Sequence, residues 1–348
     1  MSKNPLRVLI VDDSPVVRQL IRFVLEQSGI QIMGEAGDGE QALAIIANGH
    51  PDVITMDIHM PVMDGYEASR RIMEENPIPI VIVTASYKQQ DAAVAMHVLE
   101  AGALTVVQKP QGVGHPDFER DARALVRTVY AVSEVKLVRR QRRSPLRQKT
   151  KVIATPAIKP AVVAIGASTG GPIALKKLLE RLSPRFHCPV LVVQHIASGF
   201  LPSFCDWLAE SSALPVSIGE YAETVMPGKV YLAPDRCHME IDCEGKILLV
   251  DGTSDETLCP SVARLFQSVA RYHGPQSVAI LLSGMGRDGA REMAALRALG
   301  ALTLAQDPAT VVINGMPGEA VRLGAACHVL SPEQMAVLLN QCLSREQR

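Results

Sequence analysis

Residues 161–172 read AVVAIGASTGGP, and this stretch decides the fold of the surrounding chain. An apolar run of strand length, rich in β-branched residues, ends at Ser168, and Gly170-Gly171-Pro172 then opens an amphipathic segment that continues to Leu182. This pattern predicts a strand, a tight turn and a helix. A serine in a Gly-x-Ser-x-Gly turn can act as a nucleophile beside the free N–H groups of the helix N-terminus. The same kind of turn also serves as a phosphate cradle or a plain connector, so the motif alone leaves three interpretations open.

The second half of the chain continues the alternation of strand and helix patterns, which predicts a largely parallel sheet wrapped by helices. Further strands are predicted at 189–193, 229–233, 278–282 and 301–305. The segments 238–242 and 246–250 flank a short turn, and we expect a hairpin that adds an antiparallel edge to the sheet. Ligands of such folds bind beyond the carboxyl ends of the strands. The residues that follow each strand are therefore the candidates for function.

Ser168, His195 and Asp288 each follow a predicted parallel strand, and we expect all three along one rim of the sheet. A histidine can take the proton of a serine hydroxyl, and a carboxylate can fix the imidazole tautomer and stabilise its charged form. The order serine, histidine, aspartate differs from the order serine, aspartate, histidine of the α/β-hydrolases, which argues against a lipase-like fold. The alternative for His195 is a capping or core role.

The first half of the chain predicts a separate doubly wound domain built from five strand–helix repeats. Its strands are predicted at 7–11, 31–34, 53–56, 80–83 and 104–107, and its helices at 15–28, 39–48, 65–75, 88–101 and 117–137. The polar residues that follow the carboxyl ends of four of these strands are Asp12, Asp13, Asp57, Thr84 and Lys109.

Those five residues suit phosphoryl transfer. Three carboxylates that converge in one crevice repel each other and attract a hard divalent cation such as Mg²⁺. The metal would neutralise charge while Asp57 attacks a phosphoryl group, and Lys109 and Thr84 would contact the phosphoryl oxygens. For any single one of the acids, capping of the following helix is the alternative.

Residues 5–130 resemble the receiver domain of two-component response regulators. The motifs that carry the resemblance are VLIVDDS at 8–14, MDIHMPVMDG at 56–65, TA at 84–85 and KP at 109–110. The resemblance implies that Asp57 is the phosphoacceptor and that a histidine kinase is the phosphoryl donor. It also implies that Asp12, Asp13, Asp57 and the backbone carbonyl of His59 hold Mg²⁺. Val106 departs from the pattern, because receivers often carry an aromatic residue there, and a tyrosine-rotamer switch is therefore not expected.

Residues 161–345 resemble the catalytic domain of the chemotaxis protein-glutamate methylesterases, the CheB family. The matching motifs are IGASTGG at 165–171, VQHI at 193–196, PSV at 260–262, LSGMGRDG at 282–289 and GMP at 315–317. The resemblance implies that Ser168 is the nucleophile, His195 the general acid and base, and Asp288 the residue that orients it. It also implies an oxyanion hole that includes the backbone N–H of Met285, and turn geometry adds the N–H of Thr169 as a second donor.

Length, composition and charge agree with a two-domain enzyme of the cytoplasm. A chain of 348 residues with 47% hydrophobic residues can bury two cores. The net charge of −1 gives no global field for nucleic acid or a membrane surface. The sequence contains no apolar run of about 18 residues and begins with a short polar segment, so we expect neither a membrane span nor a signal peptide. Its seven cysteines lack CxxC spacing, which favours reduced thiols over disulfides or a zinc site.

Residues 131–160 are predicted to link the two domains. Eight lysines and arginines between residues 136 and 151 occur without an acid among them, and Pro145, Pro156 and Pro160 interrupt any helix. A nucleic-acid arm would need a helix-turn-helix pattern or interleaved aromatic residues, and neither follows. The segment is predicted to be a solvated, partly flexible tether, and docking to an acidic protein surface is a better interpretation of its charge than nucleic-acid binding.

The family resemblance implies hydrolysis of glutamate methyl esters on the cytoplasmic helices of chemoreceptors, with release of methanol, and deamidation of receptor glutamines. We expect a monomer whose unphosphorylated receiver packs against the rim that carries Ser168, and phosphorylation of Asp57 is expected to favour an open arrangement. Two rival hypotheses remain. One is a phosphorylation-controlled scaffold without catalysis, and the other is an esterase for small molecules.

Overall fold

The computed structural model describes residues 5–84, 89–135, 160–253 and 258–343. Contacts divide the chain into two compact units, with the division between residues 146 and 147. That division falls within the basic segment 136–159, which lies outside the described residues. None of the helices among the described residues is long and apolar enough to cross a membrane. The seven cysteines are all described, and no disulfide joins any of them.

The first unit is a five-stranded parallel sheet with strand order β2-β1-β3-β4-β5. The strands are β1 (Arg7–Val11), β2 (Gln31–Ala36), β3 (Val53–Met56), β4 (Ile80–Thr84) and β5 (Thr105–Gln108). The helices are α1 (Pro15–Glu26), α2 (Gly39–Asn48), α3 (Gly65–Glu75), α4 (Gln89–Ala101) and α5 (Phe118–Ser133). Helices α2, α3 and α4 pack in sequence on one another, and α1 packs on α5, so the helices form two groups. This is the doubly wound fold that the sequence predicts, and α5 continues three residues beyond the predicted domain limit at 130.

The direction of chain progression reverses between β1 and β3. These neighbours lie at the centre of the sheet, and their interior residues Val8, Leu9, Ile10 and Ile54 are fully buried. A sheet leaves an open crevice where the strand order reverses, at the carboxyl ends of the strands. The segments that follow β1 and β3 therefore occupy the binding position of the fold.

The second unit contains a seven-stranded sheet of order β14-β13-β12-β6-β7-β9-β8, in which all pairs are parallel. Its strands are β6 (Val162–Ala167), β7 (Val190–Gln194), β8 (Val216–Ile218), β9 (Val230–Leu232), β12 (Ser277–Leu281), β13 (Leu302–Gln306) and β14 (His328–Leu330), and the separate hairpin contains β10 (Cys237–Ile241) and β11 (Ile247–Asp251). The helices are α6 (Gly171–Leu179), α7 (Leu201–Ser211), α8 (Val262–Tyr272), α9 (Ala290–Ala298), α10 (Met316–Arg322) and α11 (Pro332–Leu343).

The strand order of the second unit reverses between β6 and β12. The chain runs outward from β6 through β7 on one side and from β12 through β13 to β14 on the other. Helices α6, α7 and α11 pack together, and α8, α9 and α10 form a second group. The carboxyl ends of the three central strands thus meet at the crevice, which is the arrangement expected of a Rossmann-like sheet.

The structure corrects one prediction about this sheet. The segments 238–242 and 246–250 do form an antiparallel hairpin, but β10 and β11 make a separate two-stranded sheet instead of an edge of the large one. The hairpin packs on α8, and the backbone N–H of Ile241 donates to the hydroxyl of Ser268 on that helix. Met239, Ile241 and Ile247 are buried in the core with Phe266. Apolar contact with α8 therefore determines where the hairpin lies.

Candidate functional site

Ser168 follows β6 directly and precedes the first turn of α6. Its backbone N–H donates to the carbonyl of Ser283, which follows β12, at 3.0 Å. Gly170 adopts a φ of 76°, and a Cβ at that position would overlap Val312 and the Ser283 hydroxyl. The turn therefore requires glycine both for its backbone conformation and for its close packing. Ser168 itself is half-buried at the crevice.

His195 lies beside Ser168 on the neighbouring strand. Ala167 pairs with Gln194 in the parallel register of β6 and β7, and the His195 N–H donates to the Ala167 carbonyl at 2.9 Å. Adjacent strands are about 4.8 Å apart, so the backbones of Ser168 and His195 are next to each other. No hydrogen bond between the Ser168 hydroxyl and the imidazole is formed among the described residues. Such contacts are often loose before substrate binds.

Asp288 pairs with the imidazole. The Nε2 atom of His195 lies 3.2 Å from Oδ2 of Asp288, an ion-pair distance at which the two groups are not aligned for a hydrogen bond. Because Nε2 faces the carboxylate, Nδ1 is the ring nitrogen left to exchange a proton with Ser168 or with substrate. The structure thus brings together the three residues that the sequence places at three strand ends.

The Asp288 carboxylate also caps the N-terminus of α8. Oδ2 accepts a hydrogen bond from the N–H of Val262 at 2.7 Å, and Oδ1 accepts from the N–H of Ala263 at 3.0 Å and from the hydroxyl of Ser261 at 3.1 Å. Burial raises the pKa of this carboxyl, but the contact with His195 and the two backbone N–H groups outweigh burial and hold the pKa below its usual value. Asp288 is therefore held as a carboxylate.

The segment from Ser283 to Asp288 is fixed by the turn before α10. The Gly284 carbonyl accepts hydrogen bonds from the N–H groups of Gly315 at 3.0 Å and Met316 at 2.9 Å. Neither the N–H of Met285 nor that of Thr169 donates to another group among the described residues. Both donors predicted for the oxyanion hole are thus available. An open cleft of about 510 Å³ lies next to this segment and is lined in part by Gly286, Arg287, Asn314 and Arg322.

In the first unit, the acidic residues converge as predicted. One carboxylate oxygen from each of Asp12, Asp13 and Asp57 lies within 4.8 Å of the others. Asp12 and Asp57 are buried, and Asp13 is exposed. The ammonium of Lys109 lies 2.7 Å from Oδ2 of Asp12 and 2.7 Å from Oδ2 of Asp57. The cluster therefore holds three carboxylates and one cation.

Burial and charge oppose each other in this cluster. Burial, assisted by the charge of Asp12, raises the pKa of Asp57 above its usual value although Lys109 acts to lower it. Burial acts to lower the pKa of Lys109, but its close contacts with the carboxylates of Asp12 and Asp57 prevail and raise it. The ammonium is therefore kept protonated between the two acids.

The remaining predicted residues of the first unit lie around Asp57. Thr84 is buried at the end of β4, and its carbonyl accepts the N–H of Lys109 at 2.9 Å. His59 is exposed in the segment after β3. Gly65 begins α3, and a Cβ there would overlap the carbonyl oxygen of Asp57. The turn that carries Asp57 thus depends on glycine at position 65.

Comparisons with known proteins agree with both halves of this description. The sequence profile described as CheB methylesterase matches residues 163–339, and that of the response regulator receiver domain matches residues 8–115. A protein of Hahella chejuensis named protein-glutamate methylesterase/protein-glutamine glutaminase 3 is 64% identical over 96% of this chain and 97% of its own length.

The chain belongs to the CheB methylesterase family.

Two further comparisons extend across this family. A Syntrophus aciditrophicus protein with the same type of name is 45% identical over 96% of this chain and 97% of its own. The crystal structure of the Thermotoga maritima CheB methylesterase catalytic domain matches with a TM-score of 0.51 at 31% identity, and it covers 53% of this chain and 100% of that domain. The predicted family, two-domain α/β fold and enzyme class are confirmed.

The receiver of this CheB family member suits a divalent cation. Its three clustered groups are all carboxylates, and oxygen donors are those that Mg²⁺ prefers. One carboxylate oxygen of Asp12 is buried without a hydrogen-bond partner, although the Lys109 ammonium is close to it. Val106, which replaces the common aromatic residue, is buried on β5. The donor set therefore fits the metal that the receiver resemblance implies.

Sequence reasoning assigned no role to three residues that hold this CheB site together. The Gln194 amide donates to the carbonyls of Ser168 and His195, and the Ser261 hydroxyl donates to Asp288. The Ser283 hydroxyl donates to the Thr169 carbonyl at 2.7 Å. All three stand in motifs that carry the family resemblance, which was the available signal. Apart from His195, which is adjacent to Gln194, the hydrogen-bond partners named here are 26 to 114 positions away in sequence and become visible only in the fold.

Proposed function

We propose that this CheB family member hydrolyses glutamate methyl esters on chemoreceptors, under control of phosphorylation at Asp57, and also deamidates receptor glutamines. The observation that carries the proposal is the 3.2 Å contact between His195 and Asp288 at the strand end beside Ser168. The names of the relatives support the substrate, because they specify protein glutamate and protein glutamine.

In the first half of the reaction, the Ser168 hydroxyl attacks the ester carbonyl while His195 takes its proton. The carbonyl oxygen becomes an oxyanion, and the free N–H groups of Thr169 and Met285 are the proposed donors to it. Collapse of the tetrahedral intermediate breaks the bond to the methoxy oxygen. The proton on His195 passes to that oxygen, methanol leaves, and the glutamyl group remains on Ser168 as an acyl-enzyme.

In the second half, His195 removes a proton from water, which attacks the acyl-enzyme. The bond to the Ser168 oxygen breaks, His195 returns the proton to that oxygen, and the glutamate side chain is released as a carboxylic acid that loses its remaining proton to solvent. With a glutamine side chain the leaving group is ammonia instead of methanol, and the remaining steps are the same. Asp288 stays ionised throughout, because the N-terminus of α8 and the imidazole both favour its charged form.

In the receiver, Asp57 is the proposed phosphoacceptor and a chemotaxis histidine kinase the proposed donor. Asp12, Asp13 and Asp57, with the backbone carbonyl of His59, would hold Mg²⁺, which supplies charge neutralisation for the incoming phosphoryl group. Lys109 is already in contact with Asp57, and after phosphorylation its ammonium would pair with the negatively charged phosphoryl oxygens. The buried hydroxyl of Thr84 completes the set of proposed phosphoryl contacts.

Phosphorylation is proposed to release a restraint that the receiver imposes on the esterase. A tenfold increase in activity needs a free-energy difference of only about 1.4 kcal/mol between the two arrangements. The proposed substrate is the cytoplasmic part of the receptor, so the enzyme is expected to act in the cytoplasm. All residues of the proposed catalytic set come from one chain, and a monomer is therefore sufficient.

Methanol release from methylated receptor membranes tests the proposal. Wild-type protein is expected to release methanol, and Ser168→Ala to lose at least about 10⁴-fold in rate while Asp57 still accepts phosphate. Ser211→Ala, at the end of α7, makes the same chemical change away from the site and is expected to keep full activity. A wild-type protein that binds receptor without releasing methanol would support the scaffold hypothesis. Equal turnover of simple aryl esters would indicate a small-molecule esterase.

A further inference from the structure

The side chain of Gln194 joins the backbones of two proposed catalytic residues. Gln194 is the last residue of β7 and only 5% exposed. Its Nε2 atom donates to the Ser168 carbonyl at 2.8 Å and to the His195 carbonyl at 2.8 Å. Both partners are acceptors, so the amide must present its NH₂ group to them, and its orientation is fixed. One amide thus contacts the segments that follow both β6 and β7.

The bond to the Ser168 carbonyl also sets the direction of the next N–H group. A trans peptide is planar, and its C=O and N–H point in opposite directions. The Ser168 carbonyl accepts hydrogen bonds from Gln194 and from the N–H of Gly171 at 2.8 Å. With both lone pairs of that oxygen used, the peptide plane resists rotation. The N–H of Thr169 is therefore held pointing away from Gln194 and from the start of α6.

The second proposed oxyanion donor is held by the same geometry. The Gly284 carbonyl precedes the N–H of Met285 in its peptide, and it too accepts two hydrogen bonds, from Gly315 and Met316. The two peptides differ in what anchors them. Backbone groups alone hold the Gly284 carbonyl, whereas a side chain supplies one of the two bonds to the Ser168 carbonyl. Gln194 is thus the side chain through which a substitution can alter the direction of one donor.

The other end of the Gln194 amide reduces the contribution of this side chain to fold stability. Its Oε1 atom is buried and has no hydrogen-bond partner among the described residues. That oxygen lies so close to the start of α6 that a Cβ on Gly171 would overlap it. A buried polar atom without a partner is unfavourable. An apolar residue of the same shape would remove that cost but would also leave the His195 carbonyl without its Gln194 donor, so the two effects on stability oppose each other.

We infer that Gln194 is a positioning residue of the esterase, which aims the Thr169 N–H at the oxyanion by holding the Ser168 carbonyl. This inference rests on the proposed function. An N–H that is aligned before the reaction stabilises the developing charge without reorganisation. Loss of the alignment lowers the rate of the chemical step and leaves binding of the receptor unchanged, because the Thr169 N–H acts on the oxyanion and not on the bound ester.

The test compares Gln194→Met with Asn340→Leu in the full-length protein. Asn340 is a remote matched control, because its amide also joins two backbone groups, the Ser183 N–H and the Arg181 carbonyl, and both of its ends are paired. We measure kcat and KM for methanol release, the pH profile of kcat/KM, the melting temperature, and inhibition by a receptor peptide that carries a trifluoromethyl ketone in place of the ester. That ketone forms an oxyanion adduct with the serine.

For Gln194→Met we expect only a small change in melting temperature, because the unpaired Oε1 atom and two hydrogen bonds are lost together, and a kcat about 10- to 100-fold lower, less than the ~10²- to 10³-fold typical of removing an oxyanion donor. KM and the pH midpoint should be unchanged, and the ketone should bind more weakly by the same factor as kcat falls. Asn340→Leu should melt earlier with unchanged kcat. If Gln194→Met fails to fold, Gln194→Ala takes its place with the same expected division between kcat and KM.

Three results would overturn the inference. The first is an unchanged kcat in a folded Gln194 variant. The second is a shifted pH midpoint, which would mean that the Gln194 amide acts on His195 instead of on the Thr169 N–H. The third is an equal loss of kcat in Asn340→Leu. A wild-type enzyme that releases no methanol would instead contradict the proposed function itself.

Discussion

Oδ2 of Asp288 accepts a hydrogen bond from the N–H of Val262 at 2.7 Å, so the carboxylate that faces His195 also caps the N-terminus of helix α8. Both oxygens of the carboxylate are used, since Oδ1 accepts from Ser261 and Ala263. A side chain with one acceptor oxygen cannot satisfy all of these donors. The orientation of the imidazole and the integrity of α8 therefore depend on the same group.

Asp288→Asn is expected to reduce both activity and stability. The amide nitrogen would face N–H donors, which leaves at least one of them unpaired at a cost of about 1–3 kcal/mol in unfolding free energy. The imidazole would lose its charged partner, and kcat should fall by roughly 10⁴-fold. Methanol release and chemical denaturation measure the two effects.

Asp242→Asn is the matched control for that substitution. Asp242 accepts the N–H groups of Glu244 and Lys246 with a single oxygen, so asparagine can keep both bonds. Stability and activity should be close to those of wild type. A comparable loss of stability in both variants would show that Asp288 is an ordinary cap.

The lowered pKa of Asp288 predicts a pH dependence of stability. The unfolded carboxyl has a pKa of about 3.9 and binds protons more readily than the folded one. Its contribution to stability is therefore fully present above that value and is lost as the pH falls through the folded pKa. The difference in unfolding free energy between wild type and Asp288→Asn should be larger at about pH 5 than below about pH 4. A difference that grows on acidification would contradict this sign.

Asp57→Asn is expected to abolish phosphoryl incorporation from radiolabelled acetyl phosphate, because the attacking carboxylate oxygen is removed. Asp52→Asn is the control, since Asp52 is an exposed acid at the opposite end of β3 that accepts the N–H of Arg7. Chelation of Mg²⁺ should stop labelling of the wild-type protein and leave its basal esterase rate unchanged. Labelling that persists in Asp57→Asn would place the phosphoacceptor elsewhere.

Gly65→Ala is expected to disturb the receiver, because its Cβ would overlap the Asp57 carbonyl at the start of α3. The turn must shift, which should lower the unfolding free energy of the receiver and slow its phosphorylation. Gly112→Ala is the control, since a Cβ there meets nothing within 4 Å. Equal melting temperatures and equal rates of phosphorylation in the two variants would contradict this role of Gly65.

Deletion of residues 1–150 is expected to raise basal methanol release by about tenfold, which corresponds to about 1.4 kcal/mol. Full-length Asp57→Asn should stay at the basal rate with or without a phosphoryl donor. Circular dichroism must show that the fragment is folded. A folded fragment with unchanged or lower activity would contradict the proposed restraint.

The central strands of both sheets could be predicted from sequence because burial on both faces makes them continuous apolar runs. The predicted bounds of β1 and β3 are those observed, and the ends of the other predicted strands differ from the structure by one or two residues, as at β2. Strands β8 and β14 were not predicted. Each contains three residues, is partly exposed and lies at a sheet edge, so neither has a long apolar run.

The position of the hairpin and the contacts within the site could not be predicted from sequence, for a different reason. The short turn at Cys243-Glu244-Gly245 indicates an antiparallel pair, but packing against α8 decides that the pair leaves the large sheet. Strand ends likewise indicate which side chains meet at the crevice. They do not indicate that Gln194 uses its amide to hold the Ser168 carbonyl, because local sequence does not encode that distant contact.

The pairing of Ala167 with Gln194 has a consequence for how this enzyme tolerates change. Ser168 and His195 are neighbours because two buried strands keep one particular alignment, and a slip by one residue would set a different side chain beside the imidazole. The buried valines of β7 thus help to keep Ser168 and His195 at the separation that catalysis requires. Substitutions among them should be selected against for lost turnover even where the protein still folds.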